Sequence, residues 1–116
     1  MITSQDWRDI GHRSMACRDY QSAIAAYANA GETRLLQNLG DYLIKEDNID
    51  LAQLAYTLAL KSEPDEVLQN NLELLLDKED KVKNNGRDPK TLKRIDTLID
   101  VIFRILDGRD GIKEAS

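Results

Sequence analysis

The sequence predicts an all-α fold built from antiparallel helical hairpins, about six helices in all. Three observations carry this reading. Leucine and isoleucine supply 26 of the 116 residues, against five for valine, phenylalanine and tryptophan together. That mix favours helix over sheet, and only two prolines and six glycines are present to interrupt it. No stretch alternates β-branched and polar residues as a strand would. Finally, two segments match each other when the chain is shifted by 29 residues, Ile10-Gly11 against Leu39-Gly40 being the first pair.

The elements follow in order. A first helix is expected from Gln5 to Ala16, with Thr3 or Ser4 as its N-cap, because a hydroxyl there can accept from a free N–H of the first turn. A second covers Gln21 to Ala30 and stops at Gly31. Thr33 opens a third, to Lys45, and Glu46-Asp47-Asn48-Ile49 reads as a tight turn. A fourth spans Asp50 to Lys61. Pro64, at an early helical position, opens a fifth to Lys83, ended by Asn84-Asn85-Gly86. Asp88 caps a sixth with Pro89 at its first position, ending near Leu106 before Gly108. We therefore expect one domain over residues 1–107, with a first repeat at about 4–31, a second at about 33–64 and a divergent helical pair at 65–107. A polar, flexible tail would follow at 108–116.

The repeat has a physical logic. Ala23 aligns with Ala52, Ala26 with Ala55, Tyr27 with Tyr56 and Ala30 with Ala59. A glycine inside a helix costs roughly 1 kcal/mol against alanine, so Gly11 and Gly40 need a packing reason. They would let the second helix of each pair approach closely, with Ala23 and Ala52 opposite and the tyrosines filling the space one turn later.

These residues resemble the tetratricopeptide repeat, whose pattern runs W-x2-L-G-x2-Y, then A-x3-F, then P, over about 34 residues. The first copy supplies Trp7, Ile10, Gly11, Ala23, Tyr27 and Ala30; the second supplies Leu36, Leu39, Gly40, Ala52, Tyr56, Ala59 and Pro64. Ser14 and Leu43 stand where the family has tyrosine, the first copy lacks the closing proline, and the missing length falls after Ala30. The resemblance covers roughly residues 4–64 and implies a short solenoid of stacked hairpins.

The remaining pair would supply the layer that two repeats lack. Leu68, Leu72, Leu75 and Leu76 form a stripe on the fifth helix. On the sixth, Leu92, Ile95, Ile99, Ile102, Phe103 and Leu106 form one face, and Leu98, Val101 and Ile105 a second, adjacent seam. The apolar arc is about 200° wide, broader than a surface helix needs. Either this helix is sandwiched within the monomer or the second seam meets another chain.

Charge and chemistry narrow the function classes. The chain carries a formal charge of −5, which argues against a nucleic-acid binder. Residues 1–80 hold seven basic and fifteen acidic side chains, and residues 81–116 nine and six, with Lys81, Lys83, Arg87, Lys90, Lys93 and Arg94 around one loop. His12 is the only histidine and Cys17 the only cysteine; no catalytic motif, cofactor fingerprint or metal-ligand pattern surrounds them, so neither an enzyme, a cofactor nor a metal site is expected. Glu46, Asp47 and Asp50 lack the pattern of a calcium loop. The opening MITSQDWRDIGH has neither the basic flank nor the apolar core of a secretory signal, and no apolar run could insert into a membrane. A cytoplasmic protein is expected.

The resemblance implies a binding function. In this family the first helix of each pair lines a concave groove that receives a peptide or helix of a protein partner. Carried onto this chain, the groove positions are Gln5, Arg8, His12 and Met15, then Arg34, Gln37, Asn38, Asp41 and Lys45. The leading expectation is a protein–protein interaction module or adaptor. The alternative is a homo-oligomeric structural protein associating through Leu98, Val101 and Ile105 of the last helix.

Overall fold

Local chemistry sets most of the helix ends. In a computed structural model of the chain, Thr3 caps the first helix with a full capping box: the Asp6 N–H donates to Thr3 Oγ1 at 3.1 Å, and the Thr3 N–H donates to Asp6 Oδ2 at 3.0 Å. Asp19 accepts from the Ser22 N–H at 3.2 Å, and Asp88 from the Thr91 N–H at 3.1 Å. Gly31 (φ 72°) and Gly86 (φ 61°) end helices in the left-handed region that only glycine enters without a Cβ clash. The resulting helices are α1 (Ser4–Ala16), α2 (Tyr20–Ala30), α3 (Thr33–Lys45), α4 (Ile49–Leu60), α5 (Asp65–Asn85) and α6 (Pro89–Ala115). The structure describes residues 1–86 and 88–115, and side chains as far as Arg109; no strand occurs among the described residues. Pro64 sits one place earlier than expected, outside α5 as its N-cap residue.

The chain divides into two compact units, Met1–Ala59 and Leu60–Ser116. In the first, α1 and α2 form one antiparallel hairpin, α3 and α4 a second, and α2 packs against α3. The two hairpins are copies down to their turns. Arg18 and Asp47, 29 residues apart, both take positive φ, 60° and 61°. Around them the Asp19 N–H donates to the Ser14 carbonyl and the Asn48 N–H to the Leu43 carbonyl, each at 2.8 Å. Ala23, Ala52, Ala55 and Ala59 are fully buried, as are Leu43 and Tyr56. Small residues at these positions let helices approach until the tyrosine rings fill the remaining space.

The second unit is the α5–α6 hairpin. Leu68 on α5 and Ile95, Leu98, Ile99, Val101 and Ile102 on α6 are buried. At its open end the Arg109 guanidinium ion-pairs with Asp65 and donates to the carbonyls of Lys61 at 2.7 Å and Glu63 at 3.0 Å. Those bonds satisfy carbonyls that follow α4 and anchor the far end of α6. They also account for a difference from the sequence reading. The helix was expected to end near Leu106; it continues through Gly108 and Gly111 to Ala115. Gly108 disfavours that continuation by roughly 1 kcal/mol, and the charge-assisted anchor at the next residue, Arg109, opposes it. Two members of the expected apolar faces are not core: Leu76 is 42% exposed and Phe103 50%.

Candidate functional site

The site begins with the pairing of Gly11 with Tyr27. A Cβ on Gly11 would lie 2.6 Å from Tyr27 Cδ1, and one on Gly40 would lie 2.7 Å from Tyr56 Cδ1. Each ring therefore packs directly against a glycine, and its hydroxyl emerges beside the next residue of the first helix. That residue is His12 in one hairpin and Asp41 in the other. His12 Nδ1 is 2.8 Å from the Tyr27 hydroxyl, and the Tyr56 hydroxyl donates to Asp41 Oδ1 at 2.6 Å. Burial raises the Tyr27 phenol above its usual range.

Around these pairs lie the other groove candidates. Gln5, His12, Arg34, Gln37, Asn38 and Lys45 are exposed, and Arg8, Met15 and Asp41 half-buried. The 29-residue shift matches Gln5 with Arg34, Arg8 with Gln37 and His12 with Asp41. The structure brings α1 and the start of α3 together through Arg8, whose guanidinium ion-pairs with Glu32 and donates to Gln5 Oε1 at 3.1 Å. Glu32 is the N-cap residue of α3 yet caps nothing with its side chain, because that carboxylate is committed to Arg8. Arg8 thus holds two helices together, a task its place on α1 did not reveal.

Three contributors escaped the sequence reading. Glu32 sits 24 residues from Arg8, with no motif between them. The tyrosine hydroxyls were read as packing atoms, although the alignment of His12 with Asp41 beside aligned glycines carried the signal. Tyr20 and Tyr42 pair edge-on across α2 and α3, ring centres 5.7 Å apart and hydroxyls 3.3 Å apart. The hydrogen bond with Tyr20, then desolvation and the Glu46 charge, push the Tyr42 phenol up to about 12.

The second candidate surface is placed differently. Leu98 and Val101 are buried within the chain and Ile105 half-buried. His12 is exposed with the Tyr27 hydroxyl at its ring, and Cys17 is an exposed thiol in the first turn. Among the described residues no helix is long and apolar enough to cross a membrane. Comparison with known protein families, curated proteins and solved structures gives no match to this chain.

Proposed function

We propose that the chain is an interaction module of tetratricopeptide type, an adaptor acting in the cytoplasm, whose α1 and α3 faces hold a peptide or helix of a partner protein. One observation carries the reading. The same glycine–tyrosine–polar arrangement recurs 29 residues apart and sets polar side chains at equivalent places on two neighbouring first helices. Hydrogen-bonding groups repeated on adjacent first helices suit an extended ligand with polar groups along its length, and a peptide is one. With Arg8 engaged by Glu32, and Gln5 by Arg8 and Asp9, the contacts offered outward are those of Arg34, Gln37 and Asn38 on α3, with His12 beside them.

Self-association through Leu98, Val101 and Ile105 is the less favoured reading, since burial of Leu98 and Val101 in one chain removes them from contact with another.

Selection from a random peptide display library tests the proposal. The wild type is expected to enrich a defined motif. Asn38→Ala and Gln37→Ala should each weaken the selected peptide about tenfold by removing an amide contact, with solution mass unchanged. A library that yields no motif, or peptides indifferent to both variants, defeats the reading.

A further inference from the structure

We propose that one flank of the α5–α6 hairpin, carrying Leu72, Leu76 and Phe103, is a docking surface for a basic amphipathic helix of another protein. Two contacts set the register of the hairpin. Asp65 meets Arg109 at one end, and Glu79 hydrogen-bonds Asp96 nearer the other. Phe103 therefore falls opposite Asn71 and Leu72.

The same contacts identify the flank. Phe103 lies two turns beyond Asp96 and Leu72 two turns before Glu79, so both continue the row in which those carboxyls meet. Leu76 shares its row with Lys83, seven residues on, and the Lys83 ammonium, 3.5 Å from Glu79, also acts on Asp96. Leu76 thus opens to the side on which Asp96 and Phe103 lie. A half-exposed phenylalanine on the same flank as a leucine that is 42% exposed is a place where covering apolar surface is favourable.

Charge selects the occupant. Asp100 and Asp107 edge this flank on α6 and Asp80 edges it on α5, while the Asp96–Glu79 pair closes the strip at one end. Among the described residues beside Phe103 and Leu76, the cations are Lys83 and Arg104, held by Glu79 at 3.5 Å and Asp100 at 3.2 Å. The surface is an apolar strip between acidic margins. It suits a helix with an apolar stripe flanked by lysine or arginine, seated so that Phe103 enters the stripe. A second copy presenting the same flank is disfavoured, because a two-fold contact would set carboxylates against carboxylates.

Binding of a labelled synthetic helix of leucine and lysine, about 14 residues long, to the full chain tests this by fluorescence anisotropy. Binding in about the micromolar range is expected, weakening as salt rises, and a matching leucine–glutamate peptide should not bind. Phe103→Ser and Leu76→Ser should each weaken binding about tenfold, with helicity checked by circular dichroism. Paired Asp100→Lys and Asp107→Lys, which remove no apolar contact, should weaken it comparably, while Asn38→Ala on the other unit should change nothing. The proposal is overturned if the lysine peptide does not bind, if both peptides bind alike, if the serine variants bind as the wild type does, or if sedimentation shows the chain self-associating through Phe103.

Discussion

The ring of Tyr56 occupies the space into which a side chain on Gly40 would project, with Tyr56 Cδ1 2.7 Å from that Cβ position. Tyr56 is fully buried and held by Asp41 at its hydroxyl, so the ring cannot swing away cheaply.

Gly40→Ala should therefore destabilise the protein by about 1–2 kcal/mol, overpacking outweighing the roughly 1 kcal/mol gained in helix propensity. In a Tyr56→Leu background the same change should be neutral or stabilising, because the obstructing ring is gone. Urea unfolding of the four members of this cycle checks the coupling. Equal effects of Gly40→Ala in both backgrounds would sever the link between the two residues.

Arg18 and Asp47 test the turns in the opposite direction. Both hold positive φ without being glycine, a conformation that costs a side-chain-bearing residue about 1–2 kcal/mol. Glycine relieves it but loses about 0.5–1 kcal/mol of chain entropy. Arg18→Gly and Asp47→Gly should each stabilise by up to about 1 kcal/mol, whereas Gly31→Ala, at φ 72°, should destabilise by about as much. Thermal midpoints of the three variants separate these outcomes.

The carboxyl pair of the α5–α6 hairpin predicts a pH dependence. Partial desolvation, then the hydrogen bond and charge of Glu79, raise Asp96 to about 6, while the bond from Asp96 and the Lys83 charge lower Glu79. A carboxyl with a raised folded pKa favours the fold while protonated, and that contribution is lost as pH rises through about 6. Glu79 contributes above its ordinary range, and its contribution is lost as pH falls through its lowered value. This pair should therefore favour the fold most at about pH 4, near the ordinary carboxylate range, and progressively less as pH rises to about 6. Asp96→Asn should flatten the decline between about pH 4 and 6, measured as the urea midpoint against pH, and a carboxyl carbon resonance of Asp96 titrating in the ordinary range would contradict the pairing.

The first unit was the more legible half. Gly11, Gly40, Tyr27 and Tyr56 are large departures from helix averages at a fixed offset, and a repeated departure shows in one dimension. Caps were legible for the same reason: Thr3, Gly31, Gly86 and Asp88 act on neighbours within a few residues. The polar positions on α1 and α3 could be aligned with each other, but not with their contacts. Glu32 reaches Arg8 only because α1 and the start of α3 lie side by side.

The second unit shows the limit more plainly. Periodicity alone placed Leu76 and Phe103 on the same faces as Leu68 and Ile102, since it reports which residues share a side of a helix. It does not report how far a neighbouring helix covers that side. Sequence by itself determined six helices, their starts and the stops of all but α6, and a hairpin used twice, because backbone propensity, capping and repetition are local or additive along the chain. Only the tertiary structure decided that Arg8 serves as a tie, that Arg109 anchors α6 beyond Gly108, that Leu98 and Val101 are covered, and that Phe103 is left half-exposed. Each of those outcomes depends on which surfaces meet across more than twenty residues of chain, and pairwise packing at such separations leaves no periodic trace in either partner.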